Sequence, residues 1–525
     1  MSLIFLTLYF FAGAVVMIYA INCYVMLYLH KRKKKNILDY YSSVENNLIE
    51  RADAITPFVT TQIPVFNEYN VIERCLKAVC EIDYPKDKHE IQILDDSNDS
   101  TSSLIDSEVA KLKEQGYVIS VFRRNNRTGF KAGALAEAMS VCKGAYIAIF
   151  DADFKPQSDF LKKVMPHFIN NENIALVQTR WEHLNKNKSI LTQAQAIGID
   201  GHFTIEQSAR CWNDLYMNFN GTAGVWKKEA IVSGGGWECD TLTEDMDLSY
   251  RVQLKGWQTV FLPNVSVPAE IPEDIRAFKS QQFRWAKGSI QTAIKLFTSV
   301  SKCESGFFKK IQAWFHMTHY LIHPFMVMMS ILALPTLLVS EIYMKPILYY
   351  SLMAVLTFSI MAPNALYCFS IYSLNKESGW WKRLRYLPAL TMIGVGVAVN
   401  NTLAVIEAVM GKKSGFVRTP KTGDQKVVQY KVKFDKTMFI ELGLGLYSMI
   451  SLVVLCNRER YLITPFMAIY GIGYTYVGLR SMFETLLEKR QAKRTALQCE
   501  SQSKNKNSGH LEAAMFSKKT LTNQG

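Results

Sequence analysis

The sequence predicts a mainly parallel α/β domain joined to an α-helical domain that crosses a membrane several times. Between about residues 54 and 269, short runs of β-branched and aromatic residues alternate with amphipathic helical stretches. This alternation is the pattern of repeated βαβ units. Apolar runs lie before and after this region, and they are long enough to cross a bilayer, which takes about 20 residues.

Composition and charge placement agree with a membrane protein. Hydrophobic residues make up 49% of the 525 residues and charged residues 20%. The formal net charge is +14, but the basic run from His30 to Lys35 directly follows an apolar run, as the positive-inside rule expects. We therefore predict no nucleic-acid partner. The ten cysteines include no C-x-x-C pair, so they are expected to be reduced packing residues of a cytosol-facing protein.

The first apolar run predicts an N-terminal membrane anchor over residues 1–29. A cleaved signal peptide carries its positive charge before the apolar run, whereas here the charge follows it. The anchor is therefore expected to remain, with its N-terminus outside and the chain from Lys31 onward starting in the cytosol.

Four strands can be predicted in order, at residues 58–63, 91–94, 118–122 and 147–150. The last is the most apolar, and it ends at Asp151-Ala152-Asp153. Ligands of open α/β sheets bind at the carboxyl ends of strands. Asp-x-Asp at such a place can offer hard oxygen ligands to Mg²⁺ or Mn²⁺, although the same motif alone also suits a loop or a helix cap. Asp153 is expected to be an exposed loop residue.

Three further motifs each allow a structural and a functional interpretation. Gly129 and Gly133, with Lys131 between them, open a helix, which suits phosphate binding or close helix packing. Thr243 could cap a predicted helix that starts with Glu244 and Asp245, where acids also favour the macrodipole. The amphipathic stretch 275–296 contains Gln281-Gln282-Phe283-Arg284-Trp285, which could be an interfacial anchor or part of a site.

The C-terminal half predicts four more spans, at residues 317–339, 346–372, 438–456 and 461–479. With the anchor this makes five. The apolar segment 390–410 carries Asn400, Asn401 and Glu407, and crossing there would place the basic loop 412–436 outside. Because the positive-inside rule disfavours that, we interpret this segment as interfacial or re-entrant. Residues 492–525 are polar and are expected to form a disordered cytosolic tail.

Taken in order, these motifs resemble a known signature. Asp95-Asp96, Asp151-Ala152-Asp153, Thr243-Glu244-Asp245 and Gln281 to Trp285 are similar to the D, DxD, TED and QxxRW motifs of membrane-bound family-2 glycosyltransferases. That group includes cellulose synthase-like proteins that make mannan and glucan. Residues 416–421 also resemble the gating loop of cellulose synthase-type enzymes, at Phe416, Arg418, Thr419 and Lys421.

The resemblance implies a cytosolic, Rossmann-like GT-A domain over residues 54–300, with interfacial helices. The membrane domain would cover 317–480 and carry the gating-loop-like segment. For the donor site, the resemblance implies that the nucleoside and diphosphate are held by Glu68, Asp95 or Asp96, Lys131, Asp151, Gln281 and Arg284. Asp153, with Asp151, would hold Mg²⁺ or Mn²⁺.

For catalysis, the resemblance implies that Asp245 is the general base, with Glu244 beside it. A sugar hydroxyl is a poor nucleophile until a carboxylate accepts its proton. Trp285 would form a stacking platform for the acceptor, next to Gly221 and Thr222. A single displacement inverts the anomeric centre, so an α-linked donor gives a β-linked product.

The leading functional hypothesis is an inverting glycosyltransferase. It would move sugar from a donor of the UDP-glucose or GDP-mannose type to a growing β-linked polysaccharide and translocate the product. A glycolipid synthase acting on a membrane lipid such as diacylglycerol is the alternative, and a transporter with a non-catalytic sugar-binding domain is a third. The expected location is a plasma, inner or Golgi-type membrane, with the catalytic domain cytosolic. Accessory subunits are left open.

Overall fold

The computed structural model describes residues 2–49, 56–343, 346–377, 379–415, 421, 423, 435–459 and 461–490. Within them lies one seven-stranded sheet of order β3-β2-β1-β4-β6-β5-β7. The strands are β1 (Val59–Val65), β2 (His89–Asp95), β3 (Val118–Phe122), β4 (Tyr146–Ile149), β5 (Ile174–His183), β6 (Gly224–Lys227) and β7 (Gln258–Ala269). Only β6 runs antiparallel to its neighbours. The prediction of a mainly parallel sheet is therefore confirmed.

The central position of β4 explains its apolar sequence. Ile147, Ala148, Ile149 and Phe150 have no exposed surface, because the strand lies between β1 and β6 with helices on both faces of the sheet. β1 continues through Pro64, where we had expected it to end. Its last pair with β4 is Gln62 with Ile149, so the missing N–H of Pro64 lies past the end of that ladder and costs no hydrogen bond.

Nine helices belong to or border the sheet domain: α2 (Ile72–Cys80), α3 (Thr101–Glu114), α4 (Phe130–Ala138), α5 (Phe160–Asn170), α6 (Ile190–Gly201), α7 (Ser208–Trp212), α8 (Lys228–Ser233), α9 (Glu244–Leu254) and α10 (Ile275–Lys302). A π-helical turn, His202–Gln207, joins α6 to α7. The predicted amphipathic stretch 275–296 corresponds to α10, which runs six residues further.

The remaining helices are mostly apolar: α1 (Ser2–Ile49), α11 (Phe307–Thr318), α12 (Ile322–Tyr343), α13 (Pro346–Asn375), α14 (Leu387–Gly396), α15 (Ala398–Val409), α16 (Thr437–Asn457) and α17 (464–490). α1 continues well beyond the predicted anchor end at residue 29. Its second half is held on the sheet domain by buried Tyr41 and Val44, so tertiary packing extends the helix through the basic run.

Within the described ranges, three helical segments are long and apolar enough to cross a membrane: Ile4–Asn46, Phe307–Thr336 and Thr437–Asn457. A fourth candidate is the pair Trp380–Gly396 and Ala398–Val409, which bends by 42° at its break. Asn400 Nδ2 donates to the Lys279 backbone oxygen at 3.0 Å, and Asn401 Nδ2 lies 3.0 Å from His323 Nε2. Packing against α10 and α12 thus gives both asparagines of this segment a hydrogen-bond partner, while the total of five spans stays a prediction.

A cysteine-labelling experiment can decide whether the bent pair crosses the membrane. Ser414 is exposed just after α15. If the pair does not cross, Ser414→Cys stays on the cytosolic side and should resist a membrane-impermeant thiol reagent in intact cells. The exposed Cys239 and Cys456 are first replaced by serine. Labelling in intact cells would mean that the pair crosses, and labelling after permeabilisation is the positive control.

Candidate active site

One cleft gathers most of the residues that the motifs singled out. Its lining includes these predicted site residues: Glu68, Asp96, Lys131, Asp151, Asp153, Gly221, Glu244, Asp245, Gln281, Arg284, Trp285 and Lys421. They come from segments spread over some 350 positions of sequence, and the carboxyl ends of β1, β2 and β4 form one side of the cleft. Asp95 and Thr222 lie outside this lining. Phe416, Arg418 and Thr419 lie outside the described residues.

Asp95 and Thr222 do not line the cleft but make hydrogen bonds to the segments that form it. The Asp95 carboxylate is fully buried and accepts hydrogen bonds from Ser102 Oγ at 2.8 Å and Arg123 Nε at 2.8 Å. The Thr222 hydroxyl accepts from the Asp151 backbone N–H at 2.9 Å. Of the two candidates for the nucleoside, Asp96 therefore lines the cleft, and Asp95 lies behind it at the end of β2.

Arg124 holds Asp96 in place. Its Nε donates to Asp96 Oδ1 at 3.0 Å and its Nη2 to Asp96 Oδ2 at 2.5 Å, which is the fork geometry of a strong charged pair. Arg124 belongs to a basic run, residues 123–127, that directly follows β3, and no role was predicted for it. The available signal was that β2 and β3 are consecutive parallel strands, so their ends, one acidic and one basic, lie side by side.

Lys131 links the Asp-x-Asp motif to the loop before β6. Its Nζ donates to Asp151 Oδ1 at 2.5 Å and to the Gly221 backbone oxygen at 2.8 Å. Burial lowers the pKa of Lys131, but the charges of Asp151 and Glu244 outweigh this effect and raise it. The ammonium group therefore stays charged beside the place where a diphosphate would lie.

Asp153 is 5% exposed and faces the segment that follows β7. Its Oδ2 accepts from the Glu270 backbone N–H at 3.1 Å and from Lys421 Nζ at 2.8 Å. Glu270 also pairs with Arg74 at 2.8 Å. Sequence reasoning missed Glu270, although an acid directly after a strand of this sheet was the signal that could have found it.

The two acids of the Asp-x-Asp motif fit a divalent cation. Asp151 and Asp153 both reach the cleft, and carboxylate oxygens are the ligands that Mg²⁺ and Mn²⁺ prefer. Each of them already attracts an ammonium group, which shows that cations are stabilised at both positions. A divalent ion bound to Asp153 would take the place of Lys421.

The acids of the Thr-Glu-Asp motif begin α9. Thr243 occupies the predicted cap position, but its side chain makes no cap bond; its Oγ1 lies 3.2 Å from Thr292 Oγ1 instead. That part of the expectation was wrong, since packing against α10 redirects the hydroxyl.

A Cβ atom on Gly221 would lie 3.0 Å from Asp245 Oδ2, and Gly221 has φ +81°. Only glycine fits there.

Burial and a neighbouring negative charge raise the pKa of Asp245. Burial, followed by the neighbouring Glu244 charge, raises the pKa of Asp245 to about 7, against the lowering effect of Lys131 and Arg284. Burial also raises the pKa of Glu244. A general base works best when its pKa lies near the working pH, so Asp245 has the property that its predicted role requires.

α10 presents Gln281, Arg284 and Trp285 to the cleft. Asp274 caps the helix by accepting from the Arg276 and Ala277 backbone N–H groups at 2.8 and 3.2 Å. Gln281 Oε1 is buried with no hydrogen-bond partner among the described residues. An unpaired buried oxygen is costly, so this atom is suited to receive a hydrogen bond from a bound ligand.

Two buried lysines on α10 anchor this helix to the segments on either side of residues 416–434. Lys279, 2% exposed, pairs with Asp435 and with Glu441, the latter at 2.5 Å. Lys287, fully buried, pairs with Glu407 at 2.8 Å. Neither lysine was singled out from sequence.

We expect Lys279→Met to destabilise the protein strongly, by about 3–5 kcal/mol, because two acids then face each other with no cation in buried surroundings. Lys287→Met is the matched control, since Glu407 keeps a second partner, Lys412, at 2.5 Å. Thermal unfolding of both variants in detergent measures the difference. Equal losses would contradict this account of the anchor.

Comparison with known proteins places the chain among sugar-transferring enzymes. The family described as "Glycosyltransferase like family 2" matches residues 57–288. Glucomannan 4-beta-mannosyltransferase 9 of Arabidopsis thaliana is 32% identical over 421 residues, covering 76% of each chain. Glucomannan 4-beta-mannosyltransferase 7 of the same plant is 32% identical over 482 residues, covering 86% of this chain and 83% of the relative.

Among solved structures, a mannosyltransferase of Pyrobaculum calidifontis in complex with GDP-Man and Mn²⁺ matches with a TM-score of 0.46 and 17% identity. The match covers 76% of this chain and 100% of that one. Both alignments with the plant relatives are longer than residues 1–302, so each extends into the helices that follow the sheet domain.

Proposed function

Because the chain belongs to glycosyltransferase family 2, and is therefore a glycosyltransferase, we propose that it transfers mannose from GDP-mannose to a growing β-linked glycan. The membership confirms the resemblance indicated by the motifs. The observation that supports the reaction is the meeting of two carboxylate motifs across one cleft, where Lys131 bridges Asp151 and Gly221, and Gly221 lies against Asp245. The choice of mannose rests on the names of the plant relatives.

The proposed role of Asp245 is to accept the proton of the attacking acceptor hydroxyl. Its raised pKa makes it a stronger base than an ordinary aspartate. Glu244, at the same helix start, contributes the like charge that raises this pKa. Gly221 leaves room beside Asp245 for the acceptor sugar, and Trp285 offers it an aromatic face for stacking.

The proposed role of the cationic groups is to stabilise the departing nucleoside diphosphate. Arg284 interacts electrostatically with Asp151, Glu244 and Asp245, and a guanidinium can bind two phosphate oxygens at once. Lys131 interacts electrostatically with the same three acids. Asp151 and Asp153 would hold the divalent ion, which when bound neutralises developing charge on the diphosphate.

The membrane helices motivate the second part of the proposal, that the product is passed across the bilayer. α10 carries the acceptor-side residues and packs directly against α15 of the bent helix pair. A lengthening glycan that leaves Trp285 would therefore meet the membrane domain first. Multiple spans and a cytosolic catalytic domain, in a plasma, inner or Golgi-type membrane, are part of this proposal.

Membranes containing the protein should be incubated with radiolabelled GDP-mannose, GDP-glucose, UDP-glucose and UDP-N-acetylglucosamine, with Mg²⁺ or Mn²⁺. Long polymer labelled from GDP-mannose and degraded by a β-mannanase is the expected result. Label in a short, lipid-extractable product would instead support the glycolipid synthase. A membrane preparation carrying the Asp245→Asn variant is the control for background enzymes.

The pH dependence of kcat/KM should reveal the pKa of Asp245. Because the base acts in its deprotonated form, kcat/KM is expected to fall about tenfold per pH unit below pH 7 and to level off above it. The free enzyme determines kcat/KM, so the apparent pKa should lie near 7 and well above an ordinary aspartate. An acid limb centred near pH 4 would contradict the assignment.

A further inference from the structure

We propose that Asn220 donates a side-chain hydrogen bond to the acceptor sugar, and that a π-turn relay of Gln207, His202 and Glu206 holds it in position. This inference rests on the proposed function. Asn220 lines the cleft and precedes Gly221, the residue that contacts both Lys131 and Asp245. No motif or predicted role included it.

The relay has a fixed polarity that starts at a backbone carbonyl. Gln207 Nε2 donates to the Asn218 backbone oxygen at 2.8 Å, and a carbonyl can only accept. This contact fixes which end of the Gln207 amide faces Asn220. The same Nε2 donates to Asn220 Oδ1 at 2.5 Å, so the oxygen of the Asn220 amide points to Gln207 and its nitrogen points away.

The nitrogen of the Asn220 amide then determines the tautomer of His202. Asn220 Nδ2 lies 3.0 Å from His202 Nε2, and an amide nitrogen can only donate, so Nε2 is the acceptor and carries no proton. The proton lies on His202 Nδ1, which is 2.9 Å from Glu206 Oε2. Every contact from Asn218 to Glu206 is thereby assigned one direction.

One N–H of Asn220 remains. The amide group has two; the first is donated to His202, and no acceptor among the described residues takes the second. Since Asn220 lies at the cleft wall, this N–H is available to a ligand beside Asp245. A sugar hydroxyl next to the one that Asp245 deprotonates is the group whose lone pair it would meet.

The π-turn explains why His202 and Gln207 both reach the Asn220 side chain while Glu206 reaches His202. His202, Glu206 and Gln207 all lie in the turn His202–Gln207, and single π-turns within helices are rare and frequently mark functional positions. Ile205 anchors the turn among Met26 and Leu29 of α1 and Leu366 of α13. The cleft wall at Asn220 is therefore fixed to the helices of the membrane domain.

The test separates acceptor binding from catalysis. Transfer is measured with β-1,4-mannohexaose as the acceptor probe, with the donor for which the wild type is active. Asn220→Ala and His202→Leu are each expected to raise the acceptor KM about three- to tenfold, the effect of one hydrogen bond, with little change in donor KM. His202→Gln is the matched variant, because its side-chain oxygen can replace Nε2 as the acceptor, and it should restore most of the acceptor KM.

A double variant makes the test stricter. If the two residues act as one unit, Asn220→Ala with His202→Leu should be no worse than the poorer single variant. The relay would be overturned if the two single-variant increases in acceptor KM multiplied in the double variant. It would also be overturned if Asn220→Ala left the acceptor KM unchanged, or raised the donor KM and the acceptor KM equally. Asn220→Ala removes only the Asn220 side-chain amide. Its acceptor KM therefore tests the proposed hydrogen bond even if His202→Leu fails to fold. A donor other than GDP-mannose would correct the proposed function and leave this comparison intact.

Discussion

Asp245→Asn should lower turnover about 10²- to 10⁴-fold, the usual loss when a general base is removed, while donor binding survives. Asparagine keeps the size of the side chain and can still accept the Met246 backbone N–H, which lies 2.8 Å from Asp245 Oδ1. It cannot accept the proton of the acceptor. Turnover with saturating donor and a nucleotide dissociation constant measured by calorimetry together give the result.

Stability provides an independent check on the same variant. Because burial raises the folded-state pKa of Asp245 above its unfolded value, this group contributes stability below about pH 4 that is lost as the pH rises to about 7. At pH 8 the carboxylate is buried in its charged form, and Asp245→Asn should be at least as stable as the wild type. If the acid served only the helix start, its removal would cost about 0.3–1 kcal/mol and leave turnover near normal.

Asp247 in the same first turn is the matched control. It is fully buried and bonded to Arg251 at 2.8 Å and Lys295 at 3.0 Å, so Asp247→Asn weakens an ionic network. We expect a lower melting temperature and near-normal turnover of the folded enzyme, the reverse of Asp245→Asn. The same pattern in both variants would contradict separate roles for the two acids.

Local patterns were enough to predict the scaffold. β4 is an uninterrupted apolar run because it is buried on both faces, and such a run can be recognised without knowledge of its neighbours. The Asp-x-Asp motif follows it directly, so its place at the sheet edge follows from strand direction alone. Strands β5, β6 and β7 were not placed individually, since the antiparallel β6 has only four residues and little periodicity.

Contacts between distant segments were not predictable in the same way. The contact of Glu270 with Lys421 and the relay to Asn220 each join segments that only the complete fold brings together. Thr243 illustrates the limit, because its cap position follows from sequence while its hydrogen-bonding partner depends on where α10 packs. The metal-site acid Asp153 was expected to be an exposed loop residue, yet β7 and Glu270 bury it.

That burial changes what removal of the metal ligand should do. Asp153→Ala is expected to lower transfer by at least about 10³-fold, since a metal ion supplies several kcal/mol of charge stabilisation. It also leaves the Glu270 backbone N–H without its acceptor, which costs about 1–3 kcal/mol of stability. Asp153→Asn keeps an oxygen for that N–H and loses the charge that pairs with Lys421, so it should be more stable than Asp153→Ala and remain inactive.

Chelation gives the complementary measurement. Transfer by the wild type should stop in EDTA and return when Mn²⁺ or Mg²⁺ is added in excess, and Mn²⁺ binding followed by its paramagnetic resonance signal should weaken in both Asp153 variants. Asp159→Ala is the control, because Asp159 is an acid outside the cleft whose partner Lys163 is also largely exposed. Full transfer in EDTA, or unchanged Mn²⁺ binding in Asp153→Asn, would show that Asp153 is not a metal ligand. Its cationic partner would then be Lys421 alone.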